Sequence, residues 1–287
     1  MIARQKDTTN TYVINDDSGA EMARLIDQER FLTRAMGELL AEQTDVNPVA
    51  EILDIGCGPG GWAQHLALAY PEMEVTGIDL SPAMIEYAKA YAQIRQLPNA
   101  HFQVMDATQA LAFPDGSFDL VNASLISGFL FPQQWSGLMA ECKRVLRSGG
   151  ILRLTEGEWG CIVAAPAVAR LFALGLDAMY QAGRSFSPDG RYHAITPMLP
   201  RFLRHAGFQE IHHQAYVVDY SSGTPAHEGF VHDYHLLFVL GQPFILKQKL
   251  ATQDELDALC EQAMIEMRSK DFGAMLYLLC AWGKKAE

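Results

Sequence analysis

The sequence predicts a doubly wound α/β sheet, in which helices cover both faces of a layer of parallel strands. Between residues 51 and 154, short apolar runs typical of buried strands alternate with segments of helical periodicity. The first of these runs, residues 51–55, leads directly into a turn with glycines at 56, 58 and 60. A strand, a glycine turn and a helix in this order are typical of sheets that bind a ligand at the carboxyl ends of their strands.

The glycine turn indicates a backbone that approaches a ligand closely, because Gly56, Gly58 and Gly60 carry no Cβ. The helix predicted over residues 61–70 directs its first free N–H groups toward the same place. We therefore expect a nucleoside or a negatively charged group to bind there.

Four further strands are expected, and polar side chains stand within them or directly after them. The second strand ends at Asp79, after which Ser81 and Pro82 suit the N-cap and the first position of a helix. Asp106 follows the third strand, and Asn122 lies in the fourth. These strands belong to residues 74–81, 101–107, 118–124 and 146–154, the last with a helix end and a Gly-Gly turn before its strand.

The glycine turn has two interpretations, which differ in the ligand. Read as Gly56-x-Gly58-x-x-Gly61 with Asp79 about twenty residues on, it fits the fingerprint of a dinucleotide site. Asp54 opposes that interpretation, because its carboxylate would face and repel a diphosphate. S-adenosylmethionine (SAM) carries an ammonium, a sulfonium, a ribose and an adenine but no phosphate, so Asp54 favours SAM.

The order of the motifs resembles that of the class I SAM-dependent methyltransferases of the small-molecule type. LDIGCGPG, GIDLS, MDA, FDLVNAS and LRSGG follow one another at family spacing over residues 45–220, with a final strand expected at 272–285. The resemblance implies a seven-stranded Rossmann-like sheet and SAM as cofactor. It also implies that Asp79 holds the ribose, that Asp106 and Ala107 hold the adenine, and that Asn122 lies near the methionine end. The methionine part of SAM would then lie among Asp54, Gly56, Gly58 and Gly60, and Leu80 and Met84 are expected to flank the adenine.

Three additions to the sheet are expected to form helical caps. Residues 1–45 are predicted as an N-terminal helical cap, and residues 46–287 as the SAM-binding core with helical insertions at about 157–195 and 222–270. Helical periodicity predicts the helices, and an apolar run in the last segment predicts the final strand. The predicted helices cover residues 18–42, 164–183, 195–206, 226–240 and 253–270, and the predicted last two strands cover 210–219 and 274–283.

Methyl transfer from a sulfonium is a displacement that needs a base only if the acceptor must lose a proton. We take Glu156, His193 and His232 as candidate bases, because each belongs to a segment expected near the strand ends. His232 and His235 have the spacing of metal ligands, but no third ligand is evident, so we expect no metal. Aromatic residues in the additions predict an apolar pocket for the acceptor.

Composition narrows the classes of partner. The formal net charge is −12 and no Lys/Arg cluster is evident, which argues against a nucleic-acid substrate. No apolar run is long enough to span a bilayer, and residues 1–17 lack the apolar region of a secretory signal. Five scattered cysteines predict neither a disulfide framework nor a zinc site. We therefore expect a cytoplasmic protein without membrane contact, and the additions could instead form a homodimer interface.

The function predicted is transfer of a methyl group from SAM to a small, largely apolar metabolite. Two alternatives stay open. One is an enzyme of the same fold that consumes SAM without methylating, for example by cyclising its aminobutyl chain. The other is a SAM-binding protein without catalysis.

Overall fold

Five parallel strands make up the first part of the central sheet. The computed structural model describes Tyr12, Ile14 and residues 19–37, 39–40, 49–158 and 162–287. In the predicted N-terminal cap over residues 1–45, the residues before 19 other than Tyr12 and Ile14 lie outside these described ranges. The five strands lie side by side in the order β3-β2-β1-β4-β5. They are β1 (Glu51–Ile55), β2 (Glu74–Asp79), β3 (Ala100–Val104), β4 (Phe118–Ser124) and β5 (Leu146–Gly157).

Three further strands complete the sheet: β6 (Ile162–Val163), β7 (Phe208–Asp219) and β8 (Ala274–Lys285). β8 runs antiparallel between β5 and β7. The two-residue strand β6 pairs with the start of β8, on the same edge that β5 uses farther along. Among the described residues the sheet therefore has eight strands, one more than expected, because β6 is too short to carry a sequence pattern.

Within the described part of the chain, eight α-helices connect or cover these strands. Ser81 accepts a hydrogen bond from the backbone N–H of Met84, which fixes the start of the third helix. Thr252 and Glu255 form a capping box at the start of the eighth. The helices are α1 (Gly19–Ala35), α2 (Gly61–Ala69), α3 (Pro82–Ile94), α4 (Trp135–Val145), α5 (Pro166–Gln181), α6 (Leu199–His205), α7 (His227–Lys247) and α8 (Gln253–Met267).

The helices cover the two faces of the sheet in separate groups. Side chains alternate between faces along a strand, so Leu279 and Ala281 of β8 pack toward α4 and α6, while Leu278 and Cys280 pack toward the α5, α7 and α8 group. At the other end of the sheet, α2 and α3 cover the β1 and β2 face to which Ile52 belongs. The sheet is therefore doubly wound, as predicted.

The added helices share a hydrophobic core of their own. α5, α7 and α8 pack on one another over β7 and β8, and α1 joins them through Phe31, whose ring centroid lies 4.5 Å from that of Phe230. α7 continues seven residues beyond the predicted end at residue 240, with Pro243 inside it. The predicted helix end was therefore wrong. Pro243 has no N–H, so the carbonyl of Val239 lacks its helical donor. Val239 is on an exposed side of the helix, where water can donate to this carbonyl instead.

None of the helices in the described part of the chain is long and apolar enough to cross a membrane.

Candidate ligand-binding site

A cavity of about 220 Å³ lies at the carboxyl ends of the parallel strands. Its floor comes from the ends of β1, β2 and β4 and from the loop between β1 and α2. Its roof comes from α1, through Leu25, Glu29, Leu32 and Thr33. The cap helix predicted near the N-terminus therefore lies over the predicted site, whereas α5, α7 and α8 contribute none of the described lining residues.

Three polar side chains form a row across the floor of the cavity. The register of the sheet places Asp54 of β1 beside Asn122 of β4, and Asn122 beside Arg153 of β5. Asn122 donates from Nδ2 to Asp54 Oδ1 at 2.8 Å, and Arg153 donates from Nη1 to Asn122 Oδ1 at 2.8 Å. The arginine thus fixes which way the amide points, so that its donor faces the carboxylate.

Arg153 was not among the predicted site residues, although the sequence carries a signal for it. Its neighbours Ile151, Leu152 and Leu154 are apolar, and an arginine inside such a strand is 3% exposed here. A buried cation needs a buried polar partner, and strand pairing supplies it in Asn122.

Asp54 is buried, and two other carboxylates lie near it. The pKa of Asp54 is raised to about 7, chiefly by burial, and the nearby carboxylates of Glu29 and Asp79 act in the same direction. The hydrogen bond from Asn122 and the positive charge of Arg153 act in the opposite direction. A cation bound beside Asp54 would favour its ionised form, whereas an anion would add to the repulsion.

The three glycines of the turn do not all face the cavity. Gly56 and Gly58 line the cavity with positive φ angles of 68° and 53°, and among the described residues a Cβ on Gly58 would have only Leu25 within 4 Å. Gly60 has a φ of 81°, and a Cβ there would approach Phe102 to 2.7 Å and Ala88 to 2.9 Å. Gly60 therefore faces the packing between strand and helix, and it is not among the described residues that line the cavity.

Asp79 ends β2 at the rim of the cavity and holds the turn in place. Its Oδ2 accepts the backbone N–H of Gly58 at 2.9 Å, and its Oδ1 accepts that of Ser81 at 2.9 Å. The side chain lines the cavity. One carboxylate thus joins the glycine turn to the start of α3 while facing the space where a ligand would lie.

The remaining predicted cofactor residues converge on the same side of the cavity as Asp79. Asp106 accepts from the backbone N–H and the hydroxyl of Thr108 through Oδ1, at 2.8 and 2.7 Å. Leu80, Met84 and Ala107 supply apolar surface beside it. A flat apolar edge next to a carboxylate suits a planar base with an amino group.

Glu29 is a lining residue that the sequence analysis did not predict. It projects from α1, and its Oε2 lies 2.9 Å from where a Cβ on Gly61 would be, at the start of α2. Its Oε1 accepts from Thr33 at 3.0 Å, and the ring of His65 approaches to 3.4 Å. Nothing in the helical pattern of residues 18–42 distinguishes this glutamate from a solvent-exposed one, because its role depends on where α1 docks.

None of the three candidate bases is among the described residues that line the cavity. Glu156 is buried, and its oxygens accept the N–H and the hydroxyl of Ser127 at 2.9 and 2.8 Å. Burial raises the pKa of Glu156 to about 7. His193 is fully buried near Phe186, and burial lowers its pKa to about 4. His232 is exposed on α7.

Comparison with known proteins shows which family this chain resembles. Residues 52–150 match the family described as a methyltransferase domain. The trans-aconitate 2-methyltransferase of Methylobacterium radiotolerans is 30% identical over 183 residues, which cover 58% of this chain and 63% of the relative. The phthiotriol/phenolphthiotriol dimycocerosates methyltransferase of Mycobacterium leprae is 32% identical over 163 residues, covering 54% of this chain and 58% of the relative. The matches thus span less than two thirds of these relatives.

Solved structures share the fold at low sequence identity. Phosphoethanolamine N-methyltransferase 2 of Haemonchus contortus, solved with SAM, matches with a TM-score of 0.56 and 18% identity, over 95% of this chain and 58% of that chain. The cyclase SpnF matches with a TM-score of 0.52 and 20% identity, over 98% of this chain and 89% of that chain.

Proposed function

Because the chain belongs to the class I SAM-dependent methyltransferases, we propose that it transfers a methyl group from SAM to a small, largely apolar metabolite. The observation that carries this proposal is the charge of the cavity. Four carboxylates line it, and Arg153 is the one Lys or Arg among its described lining residues. Such a site favours a ligand with an ammonium and a sulfonium over one with a diphosphate. The carboxylates are Asp54, Asp79, Asp106 and Glu29.

The residues of the cavity fit the parts of SAM. Asp79 would accept from the ribose hydroxyls, and Asp106 from the adenine amino group, with Met84 beside the ring. Because Gly58 has no side chain, a ligand has room to contact the protein backbone there. Asp54 and Glu29 would lie on either side of the ammonium.

When bound, SAM supplies an activated methyl group and a neutral leaving group. The protein then has to bring the acceptor into line and keep water away. α1 serves the second task, since it roofs the cavity with Leu25 and Leu32. The roles of Glu156, His193 and His232 as bases stay predictions, as do the cytoplasmic location, the homodimer and the absence of nucleic-acid substrates.

Relatives act on different acceptors, so the acceptor of this chain is proposed by class only. The names of the two relatives above give a tricarboxylic acid and a lipid. The neighbour SpnF is named a cyclase, so likeness of fold does not by itself establish methyl transfer. Product chromatography separates the possibilities: methyl transfer releases S-adenosylhomocysteine, whereas cyclisation of the aminobutyl chain would release methylthioadenosine. Turnover of SAM to methylthioadenosine would contradict the proposal.

SAM affinity should depend on pH through Asp54. Below about pH 7 the free protein holds a proton on this carboxyl, whose pKa is raised to about 7, and a bound cation requires that the proton leave. We expect affinity to rise as much as tenfold per pH unit as the pH approaches about 7 and to level off above it. Calorimetry across this range tests the expectation, and Asp54→Asn should bind more weakly and lose the slope. An equal slope in this variant would place the linked proton on another group.

Glu29 should contribute to SAM affinity through the ammonium group. Glu29→Gln is expected to weaken binding of SAM and of S-adenosylhomocysteine about tenfold, because a hydrogen bond to a charged group is worth about 1.5 kcal/mol or more. Methylthioadenosine lacks the ammonium, so its affinity should not change. Asp27→Asn is the matched control, since Asp27 lies on the same helix, with its side chain about half exposed beside Arg30. Equal losses for all three ligands would mean that Glu29 only docks α1.

A further inference from the structure

A second cavity lies between two of the added helices and is lined by apolar groups. It has a volume of about 70 Å³, and its described lining residues come from α5 and α7 together with Ile14. Phe172 and Phe238 form part of its wall, with their ring centroids 5.2 Å apart. A cavity needs two to four polar partners to hold an ordered water, so this apolar slot is suited to a hydrocarbon group.

Two glycines keep the slot open. Gly175 of α5 and Gly241 of α7 both line it, and a Cβ built on either would meet no atom of the described residues within 4 Å. Neither has a positive φ, so neither the backbone nor crowding requires a glycine there. A glycine inside a helix destabilises it relative to alanine. Two such positions on the lining of one cavity are explained if the space itself has a use.

The slot begins close to the cavity proposed to hold SAM. Tyr12 lines that cavity and Ile14 lines the slot. Residues two apart in the chain have Cα atoms separated by at most about 7 Å. A chain molecule whose head group lies beside Tyr12 would therefore have to extend by about this distance to reach Ile14 on the lining of the slot.

We propose that the slot binds the end of an aliphatic chain of the methyl acceptor, so that the acceptor is an amphiphile with a polar head and an alkyl or acyl tail. This inference rests on the proposed function for the identity of the head-group site, but binding in the slot does not depend on it. The volume of about 70 Å³ corresponds to two or three methylene-sized groups, compared with about 30 Å³ for one water. Each methylene that enters should strengthen binding about fourfold.

Straight-chain alkan-1-ols of increasing length test the slot directly, because they are uncharged and need no knowledge of the acceptor. Calorimetry with the full chain should give affinities that rise about fourfold per methylene until the slot is full. Gly175→Leu and Gly241→Leu should abolish this rise while leaving S-adenosylhomocysteine affinity unchanged. If the rise persisted in both variants, or were absent from the unmodified protein, the proposal would be overturned.

Gly175→Ala and Gly241→Ala keep the test valid if leucine prevents folding. Each should raise Tm, since alanine favours the helix, and each should weaken the longest alkanols about fourfold, since a methyl group takes the place of one methylene. Gly137→Ala is the matched control: Gly137 is exposed on α4, and a Cβ there also meets nothing. It should raise Tm without changing alkanol affinity. Equal alkanol affinity in all three alanine variants would contradict the slot, whereas failure to bind SAM would contradict only the proposed function.

Discussion

Replacing Asp79 by alanine is expected to weaken SAM binding about 10- to 150-fold. Hydrogen bonds to a charged acceptor contribute about 1.5–3 kcal/mol, and the variant would lose those from the ribose. The same change removes the acceptor for the backbone N–H groups of Gly58 and Ser81, at 2.9 Å each, so the glycine turn loses its tie to α3. Both losses act on the same ligand, which is why we expect this effect to be among the largest.

Two further variants accompany Asp79→Ala: the first separates ribose binding from support of the turn, and the second is a control. Asp79→Asn keeps one oxygen that can accept from Gly58, and it should retain more affinity than Asp79→Ala. Asp177→Ala is a control for the loss of an exposed carboxylate elsewhere, on α5. Calorimetry with SAM measures all three, and circular dichroism confirms folding. Unchanged affinity in a folded Asp79→Ala variant would remove Asp79 from the cofactor site.

The cofactor side of the site was predictable from sequence because strand ends converge. Asp54, Asp79 and Asp106 each stand at or directly after the end of a parallel strand, and such ends meet at one edge of the sheet. Asn122 was predictable for the same reason. The structure places all four on one cavity, so the pattern of strands was sufficient to assemble them.

The rest of the site depends on contacts between distant segments, which no local pattern encodes. The orientation of Asn122 is set by Arg153, 31 residues away, through the pairing of β4 and β5. Glu29 reaches the cavity only because α1 docks against α7, about two hundred residues later in the chain. Glu156 follows the expected strand, but the burial pattern turns its carboxylate to Ser127 rather than to the described cavity lining.

A buried ionic cluster joins α1 to α7 beside the cavity. Arg24 donates to both oxygens of Glu21 at 2.7 Å and to Oδ1 of Asp233 at 2.9 Å. Tyr12, which lines the cavity, donates to Glu21 at 2.8 Å. Arg24 is 3% exposed, Glu21 0% and Asp233 1%. Burial raises the pKa of Asp233, and the charge of Arg24 opposes that shift.

This cluster makes the docking of α1 sensitive to a single residue. Removing one partner of a buried ion pair costs about 3–5 kcal/mol, because the remaining charge has no compensation. Exposed ion pairs are worth much less, about 0–1 kcal/mol. The position of the roof over the cavity is therefore expected to depend more on Arg24 than on the exposed charges of the same helix.

Arg24→Met is expected to release α1 from α7 and to open the cavity. The loss of about 3–5 kcal/mol should lower the hydrogen-exchange protection of α1 amides by at least a hundredfold, while the strands of the sheet keep theirs. SAM affinity should fall with it, because Leu25, Glu29 and Leu32 leave the cavity with the helix. Arg34→Met, at the exposed end of the same helix, is the matched control and should change neither quantity.

A triple replacement decides whether charge or shape holds the roof. In Glu21→Met, Arg24→Met and Asp233→Met together, no uncompensated charge remains buried, so α1 should dock again and its exchange protection should return. Affinity for SAM should recover as well, since none of the three residues lies among the described lining of the cavity. If Arg24→Met alone left the protection of α1 and SAM affinity unchanged, the cluster would not hold the roof, and α1 would be docked by its apolar contacts such as Phe31 with Phe230.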